Sequence, residues 1–418
     1  MTAILPTAAP TAPAPGAALR ASTAHLHLPF FDDTHHEIGN CLADWLPKQH
    51  IDETDDRAAC KQWVKHLGAH QWLRYCVPAA HGGALAQLDS RALVILRENL
   101  AFHSPLADFA FAMQGLGSGA ITLAGSPELQ AQYLPAVARG EKIAAFALSE
   151  PGAGSDVAAI TTVATPAIIQ SAGGQKAYEI TGTKTWISNG GIADFYVVFA
   201  KTEAKLGTRG ISALVVDSDT VGLDTSAHIE VMAPHPLATL QFDRCKVPAT
   251  HLLGEENAGF KLAMQTLDIF RASVAAAALG FARRALAEAV RYAQQRAMFG
   301  HHLADFQLTQ AKLGEMVALI DAAAMLTYRA AWMRDIALPA GTATRAQYTA
   351  AAATAKMTAT ENASKVIDMA VQMHGGMGVK VGSRVESLYR DIRSLRIYEG
   401  ATEVQQLILG KSVLAGVS

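Results

Sequence analysis

The chain has 418 residues, of which 50% are hydrophobic and 17% are charged, and its formal net charge is -2. At roughly 150 residues a domain, this length predicts about three domains with a substantial buried core. The near-neutral charge lacks the basic excess that binding a nucleic-acid backbone requires, which excludes nucleic acid as the main partner. No stretch approaches the roughly 20 uninterrupted apolar residues of a membrane-spanning helix, so we expect a soluble protein without a membrane partner.

The four cysteines lie far apart and include no CxxC pair. We therefore expect neither a disulfide framework nor a metal site, and a cytoplasmic location is the simplest expectation. The N-terminal segment is rich in Ala and Pro and lacks the cationic start and apolar block of a secretory signal. Its prolines predict a flexible extension over residues 1–28, with a transit peptide as the alternative.

The fold class follows from three changes of pattern along the chain. Residues 29–142 space apolar side chains three and four apart and predict an N-terminal helical domain, with Ser126 as the N-cap of its last helix. Residues 143–255 predict an antiparallel β-domain, because runs rich in β-branched and aromatic residues alternate with Gly, Asn and Asp; these runs are YEITGTKTWIS, DFYVVFAK, GISALVVD, HIEVMA and ATLQFDRCKV. Residues 256–418 return to long alanine-rich helical periods and predict a C-terminal bundle of about four helices. The expected class is mainly α with a central β-domain.

Four segments combine glycine with polar or aromatic side chains: ALSEPGAGSD (147–156), TWISNGG (185–191), RAMFG (296–300) with Gln307 and QMHGGMG (372–378), and RIYEGATE (396–403). Taken singly, the first is usually a turn and the second a hairpin with a half-buried Trp186. The third offers a guanidinium, amides and glycine N–H groups that could hold a pyrophosphate. In the fourth, Glu399 is either an acid at a helix start or a base at a cleft.

In order and spacing, the four segments together resemble the acyl-CoA dehydrogenase family, from about residue 29 to residue 412. The resemblance implies an N-terminal helical domain, a β-barrel-like middle domain and a C-terminal four-helix domain, assembled as a homotetramer (a dimer of dimers) with FAD between domains. It implies α,β-dehydrogenation of an acyl-CoA thioester to the trans-2-enoyl-CoA in fatty acid metabolism. Glu399 would take the α-proton while the β-hydrogen leaves as hydride to flavin N5, and an electron-transferring flavoprotein would accept the electrons.

The resemblance also assigns ligand contacts. Those to FAD fall on Phe146, Leu148, Ser149, Ser155, Trp186, Ile187 and Ser188, on Thr402 and Glu403, and, from the neighbouring subunit, on Arg296, Phe299, Gln307, Gln372, Gly375 and Gly376. Those to the acyl-CoA fall on Ser155, Asp268, Arg271, Tyr398 and Gly400. For Asp268 and Arg271 the alternative is an internal ion pair. The Glu399 N–H and the FAD ribityl hydroxyl would bind the thioester oxygen. Burial beside Tyr398 should raise the pKa of Glu399 to about 6–7, the useful range for a base.

Several positions separate the family's branches. Some branches carry the base one residue before an arginine in the C-terminal domain, and Phe270 at that position favours Glu399 instead. Ala401 stands where the family often has Thr. Phe109 and Phe111 either shorten the acyl pocket, which favours short or branched acyl groups, or belong to the core. Because residues 109–113 supply no arginine for a terminal carboxylate, the glutaryl-type branch is disfavoured.

Two other functions remain as alternatives. One is an oxygen-using flavin oxidase or monooxygenase on the same fold, and the other is a non-catalytic helical scaffold. A carboxylate at position 399 argues against the monooxygenase, and failure of the purified protein to hold flavin would favour the scaffold.

Overall fold

The computed structural model describes residues 19–170 and 174–417, so residues 1–18 of the predicted extension lie outside it. Ala24–His27 form a short 3-10 helix that buries Leu26, and the prediction of a flexible extension reaching residue 28 is therefore wrong at its end. The N-terminal helices are α1 (Asp33–Trp45), α2 (Asp56–Ala69), α3 (Ser90–His103), α4 (Pro105–Ala124) and α5 (Pro127–Ala138). The Ser126 hydroxyl accepts a hydrogen bond from the Leu129 N–H at 3.3 Å, which confirms the predicted N-cap of α5.

A curled sheet follows, built from β1 (Ala144–Ala147), β2 (Val163–Ile169), β3 (Gln175–Ser188), β4 (Phe195–Lys201), β5 (Ile211–Asp217), β6 (Leu223–His228) and β7 (Leu237–Pro248). The strand order is β1-β4-β2-β3-β7-β6, with β5 on the other side of β4. Strand β1 pairs with β4 in parallel, and β2 meets β4 in parallel at one residue pair. The prediction of a purely antiparallel domain is therefore wrong for these pairs.

The predicted runs coincide with β3, β4, β5 and β7, but HIEVMA is not a strand. The chain there follows β6 up to His228, and residues 229–236 leave the sheet. Strands β1, β2 and β6 were not predicted. Strands β4 and β5 are buried almost throughout, because helices pack over them, and they consequently read as continuous apolar runs.

The C-terminal part consists of α6 (Gly259–Gln295), the hairpin β8 (Ala297–Met298) and β9 (His301–His302), α7 (Gln307–Trp332), α8 (Arg345–His374), α9 (Arg384–Leu395) and α10 (Thr402–Leu414). Three of these helices are long, and α9 and α10 are short. Helix α6 also joins the domains, since it packs on α3 of the N-terminal domain. At Gly280 an added Cβ would lie 2.3 Å from the carbonyl oxygen of Glu98, so only glycine allows the two helices to approach this closely.

Two helical segments, Gly259–Gln295 and Gln307–Ala337, are long and apolar enough to cross a membrane by length and composition. Their most apolar windows are 83% and 44% buried inside the protein. Core helices meet the same criterion, so this property is weak evidence for a membrane span.

Candidate active site

The loop between α9 and α10 carries Glu399 in a rare backbone conformation. Glu399 has a φ of 51° and Gly400 a φ of 91°, and left-handed backbone at a non-glycine residue is costly unless the surroundings impose it. Here two side chains hold the loop. The Lys356 ammonium donates to the Gly400 carbonyl oxygen at 2.7 Å, and the Gln405 amide donates to the same oxygen at 2.9 Å.

Both ends of this loop are fixed by one carboxylate on α8. Oε1 of Glu361 accepts a hydrogen bond from Arg396 Nε at 2.8 Å and another from the Thr402 hydroxyl at 2.7 Å. Thr402, a predicted FAD contact, therefore has a structural partner within the loop. Glu403, one residue further, is exposed at the start of α10.

The Glu399 carboxyl group points into the protein. Its Oε2 is buried and, within residues 19–170 and 174–417, has no hydrogen-bond partner. Burial raises the pKa of Glu399, and the cations of Arg97, Lys356 and Arg271 oppose that rise. A buried carboxylate without a partner and with a raised pKa has the properties of a general base awaiting its proton donor.

The predicted substrate residues on α6 are paired with each other. Arg271 Nη1 and Asp268 Oδ1 form an ion pair, so the alternative of an internal pair describes what this structure shows. The Tyr348 hydroxyl donates to the Asp268 carbonyl oxygen and fixes this turn of the helix against α8. Arg271 Nε is buried without a partner among the described residues, and it is the third cation acting on Glu399. Arg271 thus faces the site with an unused donor.

The glycine-rich loop after β1 lies against the end of β3. The Thr185 N–H donates to the Ser149 carbonyl oxygen at 3.0 Å, which brings the first two predicted FAD segments together. A buried ion pair supports this junction: Lys184 Nζ lies 2.8 Å from Glu150 Oε1 and 3.0 Å from the Leu148 carbonyl oxygen. Burial lowers the pKa of Lys184 to about 8 against the opposing effect of Glu150.

Trp186 sits on a β-bulge that turns its indole outward. Between β3 and β7 the register advances from Lys184↔Leu240 to Ile187↔Ala238, three residues against two, and Trp186 has a φ of 59°. Its side chain is 59% exposed. A bulge of this kind re-aims one side chain, and it leaves a flat aromatic surface open beside the Ser149 loop.

The other predicted FAD residues of this region differ in accessibility. Phe146 is half-buried, with its ring centroid 4.8 Å from that of Phe199. Ser188 is half-buried, and Ser155 is exposed in the glycine-rich loop. Ile187 is only 1% exposed, so its side chain belongs to the core and any cofactor contact from this residue is limited to its backbone. Leu148 is also buried.

The residues predicted to reach a neighbouring subunit's FAD lie on the surface of the C-terminal domain. They occupy the end of α6, the β8–β9 hairpin, the start of α7 and the end of α8: Arg296, Phe299, Gln307, Gln372, Gly375 and Gly376, all of them exposed. Tyr292 and His374 stack with ring centroids 4.3 Å apart and hold the ends of α6 and α8 together. Phe299 is 85% exposed.

A narrow cavity lies beside Tyr398. Its apolar wall is formed by Phe109, Ala112 and Met113 of α4, and its charged groups include Arg97 of α3 and Asp108 of α4. Phe111 does not line this cavity but is buried in the core, so of the two phenylalanines only Phe109 narrows it.

All three parts of the chain match acyl-CoA dehydrogenase family models. The N-terminal domain matches over residues 37–141, the middle domain over residues 145–245 and the C-terminal domain over residues 257–414. The chain belongs to the acyl-CoA dehydrogenase family. The predicted family and fold class are confirmed.

Similar proteins support this membership. A 3-(aryl)acrylate reductase of Clostridium sporogenes is 36% identical, with 92% of this chain and 100% of that protein covered. The mitochondrial short-chain specific acyl-CoA dehydrogenase of Homo sapiens is 37% identical, with 84% and 82% covered. The caffeyl-CoA reductase-Etf complex subunit CarC of Acetobacterium woodii is 36% identical, with 81% and 86% covered.

Solved structures agree with the sequence comparisons. Butyryl-CoA dehydrogenase from Megasphaera elsdenii superimposes with a TM-score of 0.83 at 32% identity, covering 92% of this chain and 99% of the other. An acyl-CoA dehydrogenase complexed with FAD from Bacillus anthracis gives a TM-score of 0.82 at 30% identity, covering 92% and 67%. The protein is thus an FAD-dependent acyl-CoA dehydrogenase, an oxidoreductase, as predicted. The oxygen-using alternative is not better supported.

Two charged residues next to Glu399 were missed by sequence reasoning. Arg97 and Lys356 lie about 300 and 40 positions before Glu399 in the chain, and both are buried. The only local signal is a charged residue in a largely apolar stretch: Arg97, followed by Glu98 and Asn99, in LVILRENLAF, and Lys356 in AAAATAKM. Such a charge needs a buried partner, but the sequence does not say which one. Arg97 also shows that an arginine can reach this region from α3 although residues 109–113 contain none.

Proposed function

We propose that Glu399 is the base that removes the α-proton of the acyl-CoA. The observation that carries this proposal is the buried Oε2 of Glu399, which has no partner among the described residues and a carboxyl pKa raised by burial. The ionised carboxylate would take the proton from the α-carbon. FAD, when bound, supplies the acceptor for the β-hydrogen and its electron pair, and the thioester becomes the trans-2-enoyl-CoA.

The backbone around Glu399 also offers a hydrogen-bond donor for the thioester oxygen, which the reaction requires. Loss of the α-proton places negative charge on the thioester oxygen, which must be stabilised by hydrogen-bond donors. In the part of the chain that the structure describes, the Glu399 N–H has no acceptor. The left-handed conformation at residues 399 and 400 leaves this N–H free, and it would donate to the thioester oxygen. Tyr398 and Gly400 would border the reacting carbons.

The residues at the end of β3 fit FAD. An exposed indole raised on a bulge offers a stacking surface, and the adjoining loop offers the Ser149 hydroxyl and glycine N–H groups. Phe146, Leu148, Ser155 and Ser188 would complete this side. The Lys184–Glu150 pair would keep the loop in place without touching the cofactor. Ile187 would contribute through its backbone, and Thr402 and Glu403 would approach from the catalytic loop.

The assembly would be a homotetramer. Exposed apolar side chains on the C-terminal domain support this, since Phe299, Leu308, Val379 and Val381 are each at least 70% exposed, and a monomeric protein rarely leaves so many large apolar groups in water. In such an assembly Arg296, Phe299, Gln307, Gln372, Gly375 and Gly376 would complete the FAD site of a neighbouring subunit.

The CoA arm would run past Ser155 and α6. The unused Nε donor of Arg271 supports this, because a buried guanidinium nitrogen without a partner is costly and a ligand oxygen would satisfy it. Asp268 would hold Arg271 in position. Because Phe109 narrows the cavity beside Tyr398, the acyl group would be short or branched.

An electron-transferring flavoprotein would be the electron acceptor. The name of the Acetobacterium woodii relative, a reductase-Etf complex subunit, supports this assignment. The protein would act in the cytoplasm, in fatty acid metabolism or a related acyl-CoA pathway. We further propose domain limits near residues 142 and 255, at the changes from helix to sheet and back.

Anaerobic bleaching of the flavin by a panel of acyl-CoAs tests the assignment of Glu399. Glu399→Gln should still bind FAD and acyl-CoA but lose flavin reduction by several orders of magnitude. Glu315→Gln is the control, because Glu315 is exposed on α7 and has no proposed ligand contact, and it should bleach like the wild type. Normal bleaching in Glu399→Gln would remove this residue from the mechanism.

A second candidate is the reverse reaction, reduction of a 2-enoyl-CoA. Two of the relatives described above are named reductases, and the same base would return the proton in that direction. Reoxidation of the chemically reduced flavoprotein by 2-enoyl-CoAs, without oxygen, measures this activity. A reverse rate that exceeds the forward rate with the physiological electron carrier would make the protein a reductase.

A further inference from the structure

The cavity beside Tyr398 contains a buried ion pair. Arg97 Nε and Nη2 donate to the two carboxylate oxygens of Asp108 at 2.8 and 2.7 Å, and Arg97 Nη1 donates to the Ser273 hydroxyl at 3.0 Å. The side chains of Arg97 and Asp108 are only 3% and 4% exposed, yet both border the cavity. The pair is therefore shielded from bulk water but accessible to a molecule inside the cavity.

The pair has hydrogen-bonding capacity left. A guanidinium carries five N–H groups, and the three bonds described above use three of them. Each oxygen of Asp108 accepts one of these bonds and keeps a further lone pair. Two N–H groups and these lone pairs are left for the Tyr398 hydroxyl and for an occupant of the cavity.

The position of the cavity connects it with the reaction. Tyr398 borders it and precedes Glu399 directly in the chain, and Arg97 is the cation with the largest effect on the Glu399 carboxylate. Phe109, Ala112 and Met113 give it an apolar wall. If the α-carbon of the substrate lies at Glu399, the acyl group would extend past Tyr398 along this wall towards the ion pair.

We propose that Arg97 and Asp108 form a specificity subsite that selects acyl groups ending in an uncharged hydrogen-bonding group, such as a hydroxyl. This inference rests on the proposed function, because it takes the cavity as the acyl site. A hydroxyl accepts from Arg97 and donates to Asp108 at once. The bidentate pair is neutral overall. A terminal carboxylate would therefore be repelled by the Asp108 carboxylate, and a terminal ammonium by the Arg97 guanidinium.

An alkyl terminus is the weaker match for a physical reason. A methyl group at this place would cover the ion pair without offering a hydrogen bond, and buried polar groups left unpaired penalise the analogue that lacks the hydroxyl. Asp391 and Ser394, which also border the cavity, make its surroundings more polar still. The apolar wall and this polar group together favour an acyl chain that is apolar along its length and polar at its end.

The experiment compares acyl-CoAs of equal length that end in a hydroxyl or a methyl group, for example 4-hydroxybutanoyl-CoA with pentanoyl-CoA, continued over longer chains. Rates of anaerobic flavin reduction are measured with the wild-type holoenzyme. At the length that reaches the pair, we expect the hydroxyl compound to have a kcat/KM higher by about ten- to hundredfold. An equal or lower value at every length, or a preference for an ω-carboxylate, would overturn the proposal.

A paired substitution identifies the groups responsible. Arg97→Met with Asp108→Leu removes both charges together and leaves no single buried ion. Because both residues also act on the Glu399 carboxylate, the two series are compared within this variant, and the ratio of their kcat/KM values should fall to about one whatever the absolute rate. Retention of the preference in this variant would also contradict the proposal. If the variant does not fold, the wild-type series decides alone. If no acyl-CoA of either series bleaches the flavin, the proposed function fails; if both bleach it equally, only the subsite fails.

Discussion

The Nζ atom of Lys356 lies 2.7 Å from the carbonyl oxygen of Gly400, the residue that follows Glu399. Lys356 is completely buried, and its ammonium group is also one of the cations that oppose the rise in the pKa of Glu399. One side chain of α8 therefore acts on the loop between α9 and α10 twice, through a hydrogen bond to its backbone and through the charge it places near the Glu399 carboxylate.

Replacing Lys356 by Met should slow flavin reduction at neutral pH by about ten- to hundredfold, since a buried carbonyl loses a charged donor and the loop is held less firmly. It should also move the acidic limb of the pH profile to higher pH. A base works when deprotonated, and removal of a nearby cation raises its pKa. Stopped-flow reduction from pH 5 to 9 measures both effects.

Lys365→Met is the control for that substitution, because Lys365 is exposed on the same helix. Its rate and pH profile should match the wild type. A slower Lys356→Met enzyme with an unchanged acidic limb would show that Lys356 only holds the loop and does not act on the charge of Glu399.

Breaking the Lys184–Glu150 pair should lower the free energy of unfolding. Glu150→Gln leaves a buried ammonium without its anion, which costs about 3–5 kcal/mol in comparable buried pairs. Denaturant unfolding of the apoprotein measures the loss. Glu315→Gln, on the exposed face of α7, should change the free energy of unfolding by less than about 0.5 kcal/mol, and a similar change in both variants would contradict the role of the pair.

The same pair predicts a pH dependence. Burial raises the pKa of Glu150, but Lys184 and hydrogen bonds from Thr162 and Thr161 outweigh it and hold that pKa at about 2, below its ordinary value of 4.5. A carboxyl group with a lower pKa in the folded state stabilises the fold above pH 4.5, and this contribution is lost as the pH falls towards 2. The stability difference between wild type and Glu150→Gln should therefore shrink over this interval, and a constant difference would contradict it.

Trp186→Ala should weaken FAD binding with little effect on the fold. The indole is mostly exposed, so the apoprotein should unfold within about 0.5 kcal/mol of the wild type. Loss of the aromatic surface should weaken FAD binding about tenfold. Trp186→Phe keeps a ring and should bind FAD more tightly than the alanine variant, measured by fluorescence titration of the apoproteins. Equal FAD affinity in all three proteins would place the cofactor elsewhere.

Local sequence patterns predicted those strands whose own composition is typical of a strand. The run that became β3 is rich in β-branched and aromatic residues, and β4 and β5 are continuous apolar runs. Strand β1 is short and alanine-rich, β2 contains Pro166, and β6 is an exposed strand of mostly polar residues. Strand β1 is held by pairing with the distant strand β4, and β2 and β6 are held by pairing with β3 and β7, the strands that follow them in the chain. The composition of the three strands themselves does not indicate this pairing. HIEVMA has the composition of a strand, but its register with β7 ends at His228↔Ala238, and one backbone hydrogen bond, from the Ile229 N–H to the Leu237 carbonyl oxygen, continues it.

The residues of the candidate site likewise differ in whether the local sequence indicates them. Glu399 and Trp186 were both named from the sequence, because the order and spacing of their segments resemble those of the family. The ion pair of Asp268 and Arg271 was weighed as an alternative, because the two residues are three apart on one helix. Arg97 and Lys356 act on Glu399 only after two separate helices, α3 and α8, have packed around the loop. Their contribution follows from tertiary structure, and in the sequence only a charged residue within a largely apolar stretch indicates it.

Gly400 provides a test of the loop geometry itself. Its φ of 91° lies in the region that other residues rarely adopt, and an added Cβ would approach the Gln405 amide nitrogen to 2.4 Å. Gly400→Ala should therefore shift the loop and separate the carboxylate from the α-carbon, so that flavin reduction falls at least about tenfold, while FAD content stays unchanged. Gly410→Ala is the control: its Cβ would meet open space within α10, where alanine is the better helix former by up to about 1 kcal/mol. That variant should reduce flavin at the wild-type rate, and a Gly400→Ala enzyme that does the same would show that the left-handed turn does not position Glu399.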